Sequence, residues 1–161
     1  METDVNSPPL RLEGFLPYRL VVIAATVSEA FSTLYSARFG LGIPEWRVIA
    51  TLGQFGRALG RDIAAHGHMH KTTVSRAAAE LVASGLVRRE PSRRDQREAV
   101  LSLTPKGRRI YQEVVPVALA FSARMLDGLA GEDRAALDRI LTHLAERADA
   151  AAADIRREIE A

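Results

Sequence analysis

Apolar residues recur at helical spacing near the start of the chain. They are separated by four, three, four and three positions and form one continuous face: Leu20, Ala24, Val27, Phe31 and Leu34. Pro17 suits the first turn of such a helix, where its missing N–H leaves no bond unmade. We therefore predict one long helix from Pro17 to about Phe39, preceded by a flexible arm over residues 1–16.

The middle of the chain predicts three shorter helices followed by a hairpin. The helices are expected over residues 44–52, 61–65 and 70–84, and Gly85 lies where a left-handed residue ends the third of them. Two strands over residues 86–90 and 97–103 then flank a turn at 91–96. A short helix, a turn, a polar-faced helix and a hairpin follow one another in a winged helix-turn-helix.

Two further apolar stripes follow Thr104 and Pro105, which supply an N-cap and a first helical turn. They comprise Ile110, Val114, Val117 and Phe121 in one helix, and Leu137, Leu141, Leu144, Ala148, Ala152 and Ile155 in the next. The terminal helices carry more apolar surface than a lone winged helix needs. A second copy of the chain is the natural partner, because a palindromic DNA site calls for a two-fold dimer.

These patterns define the fold class and the organisation that we expect. The fold is mostly α-helical with a small β-hairpin wing (α+β), a winged helix-turn-helix flanked by N- and C-terminal dimerisation helices. The expected segments, together one domain, are a flexible arm at 1–16, an N-terminal dimerisation helix at 17–42, the winged helix-turn-helix at 43–104 and C-terminal dimerisation helices at 105–161. Helices that pack only within their own chain are the alternative.

Charge is concentrated in one part of the 161-residue chain, whose net charge is only +2. Between Arg88 and Arg109, seven arginines and Lys106 stand against three acidic residues, so this stretch carries +5 and the rest −3. A local basic patch of this kind is typical of phosphate binding. The absence of cysteine excludes disulfides. With no signal peptide or transmembrane run recognisable, we expect a cytoplasmic protein without a membrane partner.

The predicted helix at 70–84 has the composition of a DNA-reading helix. Its buried face would carry Val74, Ala77, Ala78 and Leu81, and Ala79 lies on the outward face among short donors and two cations. These outward candidates for contacting double-stranded DNA are Lys71, Thr72, Thr73, Ser75 and Arg76. Small groups near the groove floor and longer ones reaching base edges or phosphates suit the major groove. An ordinary solvated face is the alternative.

The hairpin tip is unusually basic for a turn. Arg93, Arg94 and Arg97 could hold phosphates or enter a minor groove, whose negative potential attracts arginine. DNA would repel Asp95, so we expect Asp95 to pair with Arg94 or Arg97 and orient that guanidinium. A solvated charged loop without a ligand is the alternative.

The chain resembles the MarR (multiple antibiotic resistance regulator) family of bacterial transcription factors. Five segments carry the resemblance: Pro44-Glu-Trp-Arg-Val-Ile-Ala, His70-Lys-Thr-Thr-Val-Ser-Arg-Ala, Gly85-Leu-Val-Arg-Arg, Asp95-Gln-Arg and Leu103-Thr-Pro-Lys-Gly. The resemblance implies an obligate dimer in which two winged lobes read a pseudo-palindrome. Many members repress genes beside their own and release DNA when a small molecule, often an aromatic acid, occupies a cleft next to the dimerisation helices.

The effector is expected to be an aromatic carboxylic acid or its coenzyme A ester. Arg19, Arg38, Trp46 and Arg47 are the candidate contacts, because arginine forks bind carboxylates. Each of them could instead serve core packing or stand as a solvated charge. The chain lacks cysteine for oxidation sensing, and the ionic set of a urate responder is not recognisable.

His66, His68 and His70 alternate and therefore raise a metal-responsive alternative. Alternate residues converge on one side of a strand, whereas these span a helix end and a turn, so we expect no metal and no other cofactor. No nucleophile elbow or phosphate loop is present, and we expect no enzymatic activity. Two non-enzymatic alternatives remain, a non-specific architectural DNA binder and a winged helix that binds protein instead of DNA.

Overall fold

The computed structural model describes residues 9–92 and 98–160. Its elements, in chain order, are a 3₁₀ turn at Leu12–Gly14, α1 Leu16–Ser32, α2 Ser36–Phe39, α3 Ile43–Phe55, β1 Arg57–Leu59, α4 Gly60–His66, α5 Lys71–Ala83, β2 Val87–Pro91, β3 Ala99–Leu103, α6 Pro105–Met125 and α7 Gly131–Glu160. The described residues form two compact units, which divide after Leu119. The predicted α+β fold, mostly helical with a small sheet, is confirmed.

The prediction of one helix from Pro17 to Phe39 is wrong, because α1 ends at Ser32 and α2 begins at Ser36. The hydroxyls of Ser32 and Thr33 donate to the backbone carbonyls of Glu29 and Ala30, at 2.8 and 2.7 Å. Serine and threonine side chains that bond to the backbone in this way weaken or bend a helix. The break turns Tyr35 into the core, where it is 1% exposed, and leaves the predicted core residue Leu34 48% exposed.

The hairpin is part of a three-stranded antiparallel sheet with the strand order β1-β3-β2. Sequence analysis missed β1, a three-residue strand whose partner lies more than forty positions further on: Arg57 pairs with Ser102 and Leu59 with Val100. The two predicted strands are observed one residue later, at Val87–Pro91, and two residues shorter, at Ala99–Leu103. Their predicted turn at 91–96 falls largely on residues outside the described ranges.

A single hydrophobic core joins α3, α4, α5 and the sheet. Its largest fully buried side chains are Tyr35, Ile49, Leu52, Ile63, Leu81, Val48, Val74 and Val114. The predicted inward face of the polar-faced helix is confirmed, because Val74, Ala77, Ala78 and Leu81 are all buried in α5. Burial of one face fixes which side of α5 is left to meet a ligand.

The end of α5 is capped by backbone hydrogen bonds and is joined to the start of α6 by the Thr104 side chain. Gly85 has a φ of 71°, and the N–H groups of Gly85 and Leu86 donate to the carbonyls of Val82 and Leu81, at 3.0 and 2.9 Å. This is a Schellman motif, in which the left-handed residue satisfies the last helical carbonyls. The Thr104 side chain donates to the carbonyl of Gly85 at 2.8 Å, and its oxygen accepts the N–H of Gly107 at 3.1 Å as the N-cap of α6.

Gly107 allows this junction to close. A Cβ built at this position would overlap the backbone carbonyl of Leu86. We expect Gly107→Ala to lower the free energy of unfolding by roughly 1–3 kcal/mol, because rigid backbone cannot move aside cheaply. Urea denaturation followed by circular dichroism measures the loss. The control is Gly131→Ala at the start of α7, where a Cβ meets nothing within 4 Å. Equal midpoints for the two variants would contradict the close approach.

Among the described residues, the two terminal helices carry exposed apolar side chains. Neither α1 nor the 30-residue α7 contains a buried residue. Exposed side chains of α1 include Leu20, Val21 and Ile23, and those of α7 include Leu137 and Leu141. No helix within residues 9–92 and 98–160 combines the length and the apolar character needed to cross a membrane.

Candidate nucleic-acid interface

The outward face of α5 is polar and unobstructed. Lys71, Thr72, Ser75 and Arg76 are exposed, and Thr73 is half-buried. Within the described part of the chain, neither Lys71 nor Arg76 forms an ion pair or a hydrogen bond. The exposed side therefore offers short hydroxyls beside two cations that no described residue engages, which suits base edges and phosphates.

His70 caps the N-terminus of α5, a role that sequence analysis did not assign. Its Nδ1 accepts the backbone N–H of Thr72 at 3.4 Å and lies 2.7 Å from the Thr72 hydroxyl oxygen. A side chain that accepts from the second or third helical residue satisfies one of the free N–H groups of the first turn. The remaining N–H groups and the positive end of the helix dipole are then available to an anion.

The wing residues predicted to contact DNA, Arg93, Arg94, Asp95 and Arg97, lie outside the described residues. The base of the wing is described and is held by ion pairs. Arg61 of α4 pairs with Glu98, and Arg57 donates to Glu90 at 2.7 Å. Each exposed pair of this kind contributes about 1 kcal/mol or less to the free energy of unfolding. Their main effect is to orient the hairpin relative to β1 and α4.

Trp46, a predicted effector contact, lies in an aromatic cluster of the core. It is 9% exposed and lies 5.9 Å from Phe31, 5.5 Å from Tyr35 and 6.4 Å from Tyr111, measured between ring centroids. Gly53 in α3 allows Tyr111 to approach, since a Cβ there would overlap the Tyr111 ring. Edge and stacked contacts of this kind stabilise a packed core.

The three predicted effector arginines occupy separate surroundings. Arg38 pairs with Glu113 of α6, and its guanidinium carbon lies 5.0 Å from the centroid of the Phe39 ring. Arg47 donates to the Ser28 hydroxyl at 3.2 Å, which links α3 to α1. Arg19 is exposed on α1. Arg47 therefore contributes to the contact between α1 and α3, whereas Arg38 is held by Glu113 on α6.

Burial of Tyr35 beneath this region raises the pKa of its hydroxyl, since desolvation disfavours the phenolate. The nearby positive charge of Arg47 opposes that shift, and the negative charge of Glu45 adds to it. The neutral hydroxyl is therefore the form that the packed cluster holds at physiological pH.

The three histidines serve different purposes and do not converge. His66 packs edge-on against Phe55 at 4.9 Å between centroids, and His70 is the α5 cap. His68 lies in the turn between them with a φ of 46°, a left-handed conformation that is uncommon outside glycine. Among the described residues, no group of three histidine, cysteine or carboxylate side chains is placed to hold a metal ion.

Known proteins that are similar to this chain are transcriptional regulators. A model of the MarR family matches residues 39–98. The HTH-type transcriptional regulator Hpr of Shouchella clausii (strain KSM-K16) is 26% identical over 117 residues, which make up 71% of this chain but only 59% of Hpr. A MarR-family transcriptional regulator from Silicibacter pomeroyi is 30% identical, with a TM-score of 0.71 over 86% of this chain and 96% of that one.

A second solved structure that is similar to this chain is that of a protein regulated by a small molecule. BpsR of Bordetella bronchiseptica, whose DNA binding is regulated by 6-hydroxynicotinic acid, is 23% identical, with a TM-score of 0.69 over 79% of this chain and 96% of BpsR. At that identity the likeness concerns the fold. The match to the Silicibacter regulator, together with the family model over the helix-turn-helix, shows that this chain belongs to the MarR family of transcriptional regulators.

Proposed function

We propose that this protein is a sequence-specific DNA-binding repressor, without enzymatic activity, that binds a pseudo-palindromic operator as a homodimer and is released by a small aromatic acid. The observation that carries the proposal is the outward face of α5. It presents short hydroxyls and two cations without a partner among residues 9–92 and 98–160, while the opposite face is buried against α3 and the sheet. A helix held in this way inserts its polar side into the major groove.

We propose that different residues contact the bases and the phosphates, according to their positions on α5 and the wing. Thr72, Thr73, Ser75 and Arg76 would meet base edges, and Lys71 at the first turn would meet a phosphate. The wing residues Arg93, Arg94 and Arg97, supported by Asp95, are proposed to hold the backbone or enter the adjacent minor groove. Base contacts give selectivity, whereas phosphate contacts give affinity that falls with salt.

The variant Arg76→Ala separates the contribution of base contacts from that of phosphate contacts. We expect operator affinity to fall roughly 5- to 150-fold and selectivity to relax at one position of each half-site, because a bidentate guanine contact contributes about 1–3 kcal/mol. Fluorescence anisotropy with the operator and with single-base variants measures both. Arg139→Ala on α7 is the matched control, since it removes an arginine far along the chain from the winged region. Unchanged selectivity would remove Arg76 from base recognition.

The dimer is proposed from the uncovered apolar faces of α1 and α7. Exposed leucine, isoleucine and valine side chains in rows at helical spacing mark protein contacts, because isolated apolar residues are common on surfaces but rows of them are not. Two copies would bring two α5 helices to successive turns of the duplex, as a pseudo-palindrome requires.

The effector is proposed to be an aromatic carboxylate. The regulation of BpsR by 6-hydroxynicotinic acid supports this ligand class. Arg47 and Arg19 remain our candidate contacts on α3 and α1. Arg38 is engaged by Glu113, and Trp46 would act through the core cluster instead of touching the ligand directly.

The proposal is tested by titrating DNA from upstream of the protein's own gene and a shuffled duplex at about 150 mM salt, where non-specific binding is weak. A preference of about 10³ or more supports a site-specific regulator. Equal affinity for both duplexes would favour the architectural alternative. Binding to neither would favour a winged helix that binds protein.

A further inference from the structure

The imidazole of His70 contacts a residue that the proposed function places against DNA. Its Nδ1 accepts the backbone N–H of Thr72 at 3.4 Å and lies 2.7 Å from the Thr72 hydroxyl oxygen. Thr72 is exposed and shares the outward face of α5 with Ser75 and Arg76, which follow it by three and four residues. The helix cap therefore also touches the side chain of a proposed base-reading residue.

The backbone contact determines which form of the imidazole is present. A backbone N–H can only donate a hydrogen bond, so the ring nitrogen that receives it must have a free lone pair. In a neutral imidazole one nitrogen carries the proton and the other accepts, so the cap places the proton of His70 on Nε2. A proton on Nδ1 would point at the N–H of Thr72 and break the cap.

The same lone pair fixes the direction of the Thr72 hydroxyl. A nitrogen without a proton cannot donate to the hydroxyl oxygen, so at 2.7 Å the hydroxyl donates to Nδ1 of His70. Two donors then share one lone pair, which agrees with the greater length of the backbone contact. A threonine hydroxyl has one hydrogen and two lone pairs. With its hydrogen engaged, Thr72 has only lone pairs to offer another partner.

Acceptors and donors recognise different bases in the major groove. The exocyclic amines of adenine and cytosine are donors, whereas the keto oxygens of guanine and thymine are acceptors. A free hydroxyl can pair with either class, because it rotates to donate or to accept. A hydroxyl that can only accept pairs with an amine, and a keto oxygen repels its lone pairs.

We infer that His70 determines which bases Thr72 can recognise: it engages the Thr72 hydroxyl as a donor, so that this position of α5 selects adenine or cytosine over guanine or thymine in the strand that it faces. His70 is a positioning residue, since it acts through Thr72. The inference deepens the proposed function and rests on it, because it requires Thr72 to meet a base edge.

The hydrogen bond is tested first without DNA. Nitrogen-15 NMR at about pH 8, where histidine side chains are neutral, distinguishes the protonated ring nitrogen from the unprotonated one. His70→Asn identifies the His70 signals by removing them. We expect an unprotonated Nδ1 whose signal shifts in Thr72→Val, because that variant lacks one of the two donors. A proton on Nδ1, or a signal that Thr72→Val leaves unchanged, would overturn the inference whatever the protein does with DNA.

The base preference is measured by fluorescence anisotropy with operators that differ at one base pair. Thr72→Val keeps the shape of the side chain and removes its hydroxyl, so the position where preference relaxes is the one that Thr72 contacts. There we expect the unaltered protein to bind adenine or cytosine about 5-fold or more tightly than guanine or thymine. His70→Ala should reduce this ratio to about 2-fold or less, because the freed hydroxyl pairs with either class.

Two further variants separate this role from that of a helix cap. His70→Asn retains a capping acceptor for the N–H and the hydroxyl of Thr72, so it should keep the preference that His70→Ala loses. His68→Asn removes the exposed imidazole two residues earlier, in a residue type that tolerates the left-handed backbone, and should leave the ratio unchanged. Loss of the cap alone would weaken binding to all operators alike. An undiminished ratio in His70→Ala would therefore overturn the inference.

The remaining outcomes distinguish the inference from the proposed function. Selective operator binding with a preference for guanine or thymine at the Thr72 position would overturn the inference and leave the proposed function standing. The same holds if Thr72→Val changes the preference at no position. Equal binding to every duplex would refute the proposed function and, with it, base recognition by Thr72, while the NMR result would still decide the direction of the hydrogen bond.

Discussion

Replacing Trp46 with alanine is expected to lower the free energy of unfolding by about 3–5 kcal/mol, the range for truncating a buried aromatic residue. The side chain is almost completely enclosed by Phe31, Tyr35 and Tyr111, which come from α1, the α1–α2 break and α6. Its removal would leave a cavity that these rings can fill only in part. Because small proteins are stable by roughly 5–15 kcal/mol, a loss of this size removes a large share of the total.

Urea denaturation at one fixed protein concentration measures the effect, with far-ultraviolet circular dichroism as the signal because Trp46 is the sole tryptophan. Trp46→Phe should recover most of the stability by retaining a ring in the cluster. Arg47→Ala, at the exposed neighbouring position, should change it by less than about 0.5 kcal/mol. A Trp46→Ala protein of normal stability that fails to respond to the effector would make Trp46 a ligand contact and contradict the core assignment.

Placing two charges on the apolar face of α7 is expected to separate the proposed dimer and reduce operator affinity by about 10²–10⁴, the usual gain from linking two binding modules. Leu137→Glu/Leu141→Glu introduces the charges into a row that is exposed in the single chain, 38% and 49%. If that row is covered by a second copy, the carboxylates would have to be buried without partners. One winged lobe would then bind a half-site without the benefit of the other.

The matched control is Ala135→Glu/Thr142→Glu, which makes the same change of charge on the same helix at exposed positions off the Leu137–Leu141 row. We expect that variant to stay dimeric and to lose less than 10-fold in affinity, since added negative charge weakens DNA binding only through long-range repulsion. Light scattering after size-exclusion chromatography reports the mass, and anisotropy reports the affinity. Dimers of undiminished stability in Leu137→Glu/Leu141→Glu would exclude α7 from the interface.

Local patterns predicted most helices because their determinants lie within a few residues. Gly85 ends α5 through a left-handed backbone, and Thr104 caps α6 with its own side chain, so both boundaries are readable from the residue type. The inward face of α5 was equally readable, since burial of one face imposes the helical period. These features follow from short-range sterics and hydrogen bonding.

Several features depend on contacts between distant parts of the chain and could not be predicted. β1 has only three residues and exists because β3 pairs with it. Tyr35 is buried beside Trp46, 5.5 Å away between ring centroids, and no residue near position 35 in the sequence predicts that contact.

Some features of the candidate site could likewise be predicted from local sequence, and others depend on tertiary contacts. The amino-acid sequence alone determined the family resemblance, the helix that would read DNA and the basic composition of the wing, because each resides in residue types at fixed local spacing. Tertiary structure alone decided that Trp46 belongs to the core, that Arg38 is held by Glu113, and that Arg61 pairs with Glu98. The physical reason is that packing and strand register bring together residues whose separation along the chain carries no local signal.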